Sequence, residues 1–203
     1  MNRVPHPTIL EGRLIRLEPM APEHIAPLLA ISSRWPEEYA LTSTPVDEEQ
    51  ASAYFATAFA EREAGRAYPF TIFGRASGEV IGSTRFADIR WQHRNAELGY
   101  TWFRPDLHRS GTNVESKLLM LDLAFERLGW VRVQIHTDTR NVRSQRAIEA
   151  LGAVFEGELR RHMIVKGGFI RDTRVYSVVD LDWPRVRERL RSRLIARGVE
   201  PTV

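Results

Sequence analysis

Residues Arg104 to Glu115 gather the groups best suited to hold an anion. Thr112 precedes Glu115 by three positions, a capping-box spacing at the head of an apolar helical stripe of Val114, Leu118, Leu121, Phe125 and Leu128. The spacing predicts a helix start at Gly111, Thr112 and Asn113. A helix start leaves about four backbone N–H groups without internal partners, and the helix dipole adds positive potential there. Gly111 leaves room for a ligand against the backbone, and Arg104 and Arg109 add charge. Such a turn can seat a diphosphate. The competing reading is a plain turn at Gly111 flanked by solvated arginines. Glu115 puts a carboxylate in the same helical turn, which suits an anion only if that side chain folds back onto the cap backbone. Neither the P-loop pattern nor GxGxxG occurs, so those phosphate-binding classes are excluded.

Other chemistry is bounded by what the chain lacks. There is no cysteine, which excludes disulfides, thiolate metal sites and a cysteine nucleophile. The histidines at 6, 24, 93, 108, 136 and 162 have no second ligand at zinc-type spacing, so no metal is expected. His136 and Asp138 share one face of a strand, where they either assist chemistry or are simply half-buried.

The elements that must position these groups follow from periodicity. Leu14 to Glu18 alternates as a strand, and Pro22 opens a helix over Glu23 to Ser33. Trp35 to Val46, with two prolines, reads as a loop, and Asp47 to Glu63 as a second helix closed by Gly65. Three strands then follow: Tyr68 to Ile72, Val80 to Phe86 after a Ser77-Gly78 turn, and Ala96 to Trp102 after the Asp88 to Arg94 connection. The apolar stripe makes the next helix, and Val131 to Ile135 a strand. Asn141 begins a short helix that Gly152 ends. Val154 to Val165 and Thr173 to Trp183 flank a Gly167-Gly168 turn, and Pro184 to Arg197 is a final helix. The order predicts a single α/β domain over 1–203, with a core over about 10–183.

Of the 203 residues, 43% are hydrophobic and 27% charged, an ordinary globular balance. No apolar run approaches the roughly 20 residues of a membrane span, and no signal-type apolar segment follows Met1, so a cytoplasmic protein is expected. Net charge is +3, and lysine occurs only at 117 and 166. That balance permits a nucleotide-like ligand without requiring nucleic acid.

Taken in order, the segment Ala96 to Trp102, then Pro105, Gly111, Glu115, Ala124 to Glu126 and Leu128-Gly129, resembles the RimJ/RimL branch of the GNAT acetyltransferases. The likeness continues through Asn141 to Ser144, Leu151 to Ala153, Glu156-Gly157, Leu159-Arg160, Arg171-Asp172 and Tyr176-Ser177. The resemblance implies an α+β GNAT fold, with a mixed, mostly antiparallel sheet of about seven strands flanked by helices. It implies that the strands ending near Trp102 and His136 splay apart to admit acetyl-CoA, whose pantetheine pairs with the backbone of Trp102, Phe103 and Arg104. The diphosphate then lies on Arg109, Ser110, Gly111, Thr112 and Asn113, and Asn141 is both N-cap and pantetheine contact. Of the family's usual loop pattern only Gly111 agrees, with His108 and Asn113 departing from it. Ile148 stands where many relatives carry an acidic tyrosine, so Ser144 is the implied thiolate proton donor.

Acetyl transfer to an amine needs the amine neutral, against ordinary pKa values of about 10.4 for lysine and about 8 for an α-amine. Glu97, on the strand beside the implied thioester, is the candidate base; its alternative is a structural carboxylate paired with Arg85 or Arg94. The expected activity is direct N-acetylation of a primary amine in a ternary complex, on a protein N-terminus, an amino acid or a small amine. The Trp35 to Val46 loop and the Lys166 to Arg171 hairpin are expected to line the acceptor side, and Glu37, Glu38, Asp47, Glu48 and Glu49 hint at a cationic acceptor. The alternatives are an inactive CoA-binding relative, or an RNA-binding protein using the arginines of the last helix. The latter is disfavoured because no aromatic residues interleave them. The resemblance also admits a homodimer.

Overall fold

The computed structural model describes residues 3–203. The strands are β1 (Leu10–Glu11), β2 (Ile15–Pro19), β3 (Tyr68–Gly74), β4 (Val80–Arg90), β5 (Asn95–Phe103), β6 (Arg132–Asp138), β7 (Val154–Ile164) and β8 (Ile170–Val179). They form one eight-stranded sheet in the order β1-β2-β3-β4-β5-β6-β8-β7. Every neighbouring pair is antiparallel except β5 and β6, which run parallel. This is the mixed, mostly antiparallel sheet expected from the sequence, with the two-residue β1 as its extra strand. Five helices accompany it: α1 (Ile25–Ser32), α2 (Glu48–Glu63), α3 (Thr112–Asp122), α4 (Val142–Leu151) and α5 (Trp183–Ile195).

Helices α1 and α2 cover one face, where Met20, Leu28, Tyr39, Ala51, Phe55 and Trp102 pack together. Asp47 caps α2 by accepting from the Gln50 amide at 2.8 Å. Helices α3, α4 and α5 belong to the opposite layer, with Val114, Leu118, Ile148, Val186, Leu190 and Leu194 in the larger core. The apolar spacing Val186, Leu190, Leu194 is the docking stripe of α5. Its arginines are largely spent inside the molecule: Arg187 reaches Asp122 at 3.2 Å, and Arg193 donates to the Ala150 carbonyl at 2.9 Å. The helix therefore presents no uninterrupted basic surface.

Element ends differ from the periodicity reading where local geometry intervenes. β4 continues through Arg90 into a single 3₁₀ turn, Trp91–His93, so the expected Asp88 to Arg94 connection shrinks to that turn. Arg94 closes it in the left-handed region, φ 47°. β8 begins at Ile170 and stops at Val179, because Asp182 and Trp183 turn back onto the Val179 and Asp180 carbonyls.

Candidate active site

The site begins with a failure of strand pairing. β5 and β6 are in register only at Asn95–Arg132, Ala96–Val133 and Glu97–Gln134. Beyond Glu97 the strands share no ladder, although β5 runs on to Phe103 and β6 to Asp138. The cause lies on the other edge of β5. Ser83 pairs with Trp102 but Arg85 with Gly99, so Tyr100 and Thr101 stand together opposite Thr84, and Tyr100 takes φ 54°. A bulge of this kind bends and twists its strand, here in the part of β5 that no longer pairs with β6.

At one end of this gap stands the start of α3. Gly111 is its N-cap at φ 102°. A Cβ there would lie 3.1 Å from Leu14 Cδ1 and 3.3 Å from Arg197 Cδ, so the glycine serves backbone conformation and close packing rather than ligand approach. The Thr112 amide donates weakly to Ser110 Oγ at 3.3 Å, while the amides of Asn113 and Val114 meet no acceptor among the described residues. The side chains of Arg109 and Asn113 likewise make no hydrogen bond or ion pair there. Arg104 is committed: its guanidinium meets Asp106 at 2.8 Å and Glu79 at 3.4 Å, and its amide donates to the Ile81 carbonyl. The Phe103 carbonyl accepts from Tyr39 Oη at 2.9 Å. Burial, reinforced by the Glu38 charge, pushes the Tyr39 phenol up to about 12, so it stays a donor.

The expected capping box is not formed. The Glu115 carboxylate turns away from the cap and accepts from the amides of Arg13, Leu14 and Ile15 at 2.7, 2.8 and 2.9 Å. The chain entering β2 offers three converging donors, more than the single cap amide could. Gly12 makes room: a Cβ there would fall 2.3 Å from the Glu115 carboxyl carbon. The carboxylate thus leaves the helix start free for an anion.

Glu97 lies beside the point where the strands part. Its Oε2 is 3.1 Å from His136 Nδ1 on β6, and its Oε1 occupies space over Gly99, where a Cβ would be 2.7 Å away. The alternative pairing with Arg85 or Arg94 is not made. Register sets Glu97 opposite Ala87 and Arg85 opposite Gly99. Behind His136, its ring meets His162 edge-on at 6.2 Å, and His162 Nδ1 lies 3.1 Å from Thr173 Oγ1. Thr173 also accepts from Arg171 Nε at 2.9 Å. Asp138 is drawn off: burial favours its neutral form, but the Arg140 side chain and amide outweigh that and hold its carboxyl below the usual range.

On α4, Asn141 is the N-cap, accepting from the Ser144 amide at 3.0 Å. The Ser144 hydroxyl has no partner among the described residues. Ile148 packs in the core, and its aliphatic side chain has no proton to give. The Trp35 to Val46 segment contains a 3₁₀ turn, Pro36–Tyr39, and is fastened across the site: Arg143 of α4 meets Glu38 at 2.6 Å, and Lys166 donates to the Thr44 carbonyl. The acidic side chains that hinted at a cationic acceptor are thus partly spent, Glu38 on Arg143 and Asp47 on the α2 cap. No group of three or more His, Asp or Glu side chains among the described residues is arranged to hold a metal ion.

Sequence reasoning did not single out Tyr39, Tyr54 and Tyr100 around this site, since they lie in a loop, a helix and a strand whose spacing does not bring them together. It also missed Lys117, whose single hydrogen bond, to Thr101 Oγ1 at 2.9 Å, depends on a contact between α3 and β5 that no spacing announces.

The geometry is thus a parallel pair that parts beside a bulge, with unpartnered amides at the start of α3 and a carboxylate–imidazole pair where the two strands separate. Residues 14–154 match the family described as the acetyltransferase (GNAT) domain. The chain belongs to the GNAT acetyltransferase family. It is 33% identical over 131 residues to the uncharacterized N-acetyltransferase YoaA of Bacillus subtilis (strain 168), spanning 64% of this chain and 73% of that one. A GCN5-related N-acetyltransferase from Brucella melitensis superposes with a TM-score of 0.83 at 28% identity, covering 93% of this chain and 86% of that one. RimJ from Mycobacterium smegmatis, in complex with CoA-disulfide, shares the fold with a TM-score of 0.79 at 20% identity, over 96% and 97% of the two chains. No helix among the described residues is long and apolar enough to cross a membrane.

Proposed function

We propose that this acetyltransferase takes its acetyl group from acetyl-CoA and transfers it, in the cytoplasm, to a primary amine held on the α1/α2 face of the sheet. The observation that carries the reading is the loss of β5–β6 pairing beyond Glu97 and Gln134, next to unpartnered amides at the start of α3. A pantetheine arm needs such an unpaired strand edge, and a diphosphate needs such amides. The complex of RimJ with CoA-disulfide supports the same donor.

In this reading Arg109, Ser110, Gly111, Thr112 and Asn113 surround the diphosphate, with the Asn113 and Val114 amides as donors. The strand edge at Trp102 and Phe103 and the cap residue Asn141 hold the arm. Arg104 contributes by fixing the end of β5, its side chain being engaged by Asp106 and Glu79. Glu97 accepts the acceptor's proton, directly or through water, and His136 holds its carboxylate in place. The amine nitrogen bonds to the acetyl carbon as the carbon–sulfur bond breaks. The leaving sulfur regains a proton, from the unpartnered Ser144 hydroxyl.

The test is release of free thiol from acetyl-CoA across a panel of amines and peptides. The wild type is expected to release thiol with at least one acceptor class, and E97Q to lower kcat by about 10²- to 10⁴-fold. Unchanged kcat in E97Q at saturating acceptor removes Glu97 as base. Unchanged kcat in S144A does the same for Ser144. Binding of acetyl-CoA without release to any acceptor favours a non-catalytic role.

A further inference from the structure

The acceptor face of the sheet carries polar atoms that nothing in the chain satisfies. Arg85 is only 3% exposed, and its Nε and Nη2 are sealed from solvent without an acceptor. Its guanidinium lies 4.2 Å from the Tyr100 ring centroid and 4.9 Å from that of Tyr54. Cation–π contact steadies the charge but leaves the in-plane N–H groups unused. The Tyr54 hydroxyl is buried without a partner too, and so are Ser83 Oγ and Trp102 Nε1. Ser83 and Arg85 alternate onto one face of β4, and Trp102 pairs with Ser83. Buried polar atoms are almost always satisfied, so this cluster calls for a polar occupant.

Charge narrows what that occupant is. Neither Arg85 nor Arg171 forms an ion pair among the described residues. Arg171 is half-buried, donates only to the Thr173 hydroxyl, and feels the charges of Asp138 and Glu97. Tyr100 is the common neighbour, its phenol pushed up by burial and by Glu97 while Arg85 and Arg171 oppose the shift. Glu97 Oε1 sits over Gly99, and Gly99 is the cross-strand partner of Arg85. Directly opposed residues stand about 5 Å apart at Cβ. A proton acceptor and a forked cation are therefore one short span from each other.

We propose, resting on the acetyl-transfer reading above, that Arg85 receives a carboxylate of the acceptor, so that the substrate class is an amine carrying a nearby carboxylate, as in a free α-amino acid. The amine end then lies at Glu97 and His136, and the carboxylate end at a guanidinium whose planar fork suits it. A plain amine leaves the buried guanidinium unsatisfied, which is how such a site rejects it.

The experiment compares thiol release from acetyl-CoA with the common amino acids, their carboxamides, their decarboxylated amines and aminoalkyl phosphates. A thermal-shift titration with acetyl-CoA runs alongside, on wild type, R85M and R85K. The expected result is that the preferred amino acid exceeds its carboxamide by at least about tenfold in kcat/KM. R85M brings that ratio towards one through a higher KM for the acid, and R85K leaves it intermediate. A merely structural Arg85, or one satisfied by water, lowers acid and amide together and leaves their ratio standing, which overturns the proposal. Equal use of acid and amide by wild type overturns it as well. So does use of phosphates alone, or acetyl-CoA binding with no carboxylate-bearing acceptor consumed. Should R85M fail to fold, the wild-type ratio and R85K decide. Absence of acetyl-CoA binding removes the donor reading itself, and this proposal falls with it.

Discussion

Lys117 sits 7% exposed on α3 with no carboxylate near it and one hydroxyl as partner. Burial pushes its ammonium down to about 7 from 10.5. Between those values the unfolded chain binds a proton that the folded chain does not, so the penalty is full below about 7 and fades as pH rises towards 10.5. Denaturant titrations of wild type and K117M should therefore show K117M the more stable at pH 7, by several kcal/mol at most. The gap should shrink steadily at pH 8, 9 and 10. A difference independent of pH contradicts this picture of a desolvated amine. Sequence alone could flag one of only two lysines, but it could not show that Thr101 would be its single hydrogen-bond partner among the described residues. Glu97 could be singled out as a candidate base because a carboxylate stood in the strand that the family resemblance places beside the thioester. Its imidazole partner could not be, because the parallel pairing of β5 with β6 decides it.

Among the elements, the start of α3 was read correctly in position and wrongly in mechanism. The expected cap pairing used a local spacing, whereas Glu115 is taken by amides about a hundred positions away in sequence. A tertiary contact of three converging donors outweighs one local bond. The consequence is measurable. E115A leaves three N–H groups at the entry to β2 without an acceptor and should lose at least about 3 kcal/mol of unfolding free energy. E115Q, which keeps one oxygen, should lose less. Equal stability of E115A and wild type in denaturant would show that these contacts carry no weight. The bulge at Tyr100 was equally hidden, since it depends on Thr84 facing two residues of β5. Helix α5, by contrast, was plain: its Val186, Leu190, Leu194 spacing fixes the buried face whatever the arginines do.

At the scale of the whole molecule, alternation and helical periodicity gave the order of elements, and the likeness to GNAT enzymes gave their arrangement, because both depend on which side chains must leave water. One edge of the sheet was less visible: β1 is two residues long, too short for any pattern, whereas β7 falls on the expected Val154 to Val165 strand although Phe155, Leu159, Met163 and Ile164 stay exposed. The gap between β5 and β6 belongs to this scale too, because it combines a bulge in the β4–β5 pairing with a three-pair parallel ladder between strands far apart in sequence.

The claim on which the account rests is that this gap and the α3 start form one receptor for acetyl-CoA. Thermal unfolding with acetyl-CoA tests it most directly. At a hundredfold excess over Kd the stabilisation is about 2.7 kcal/mol, or roughly 5–10 °C in Tm for a chain of this size. The account predicts a saturable rise of that order. A Tm that stays flat up to millimolar acetyl-CoA contradicts it.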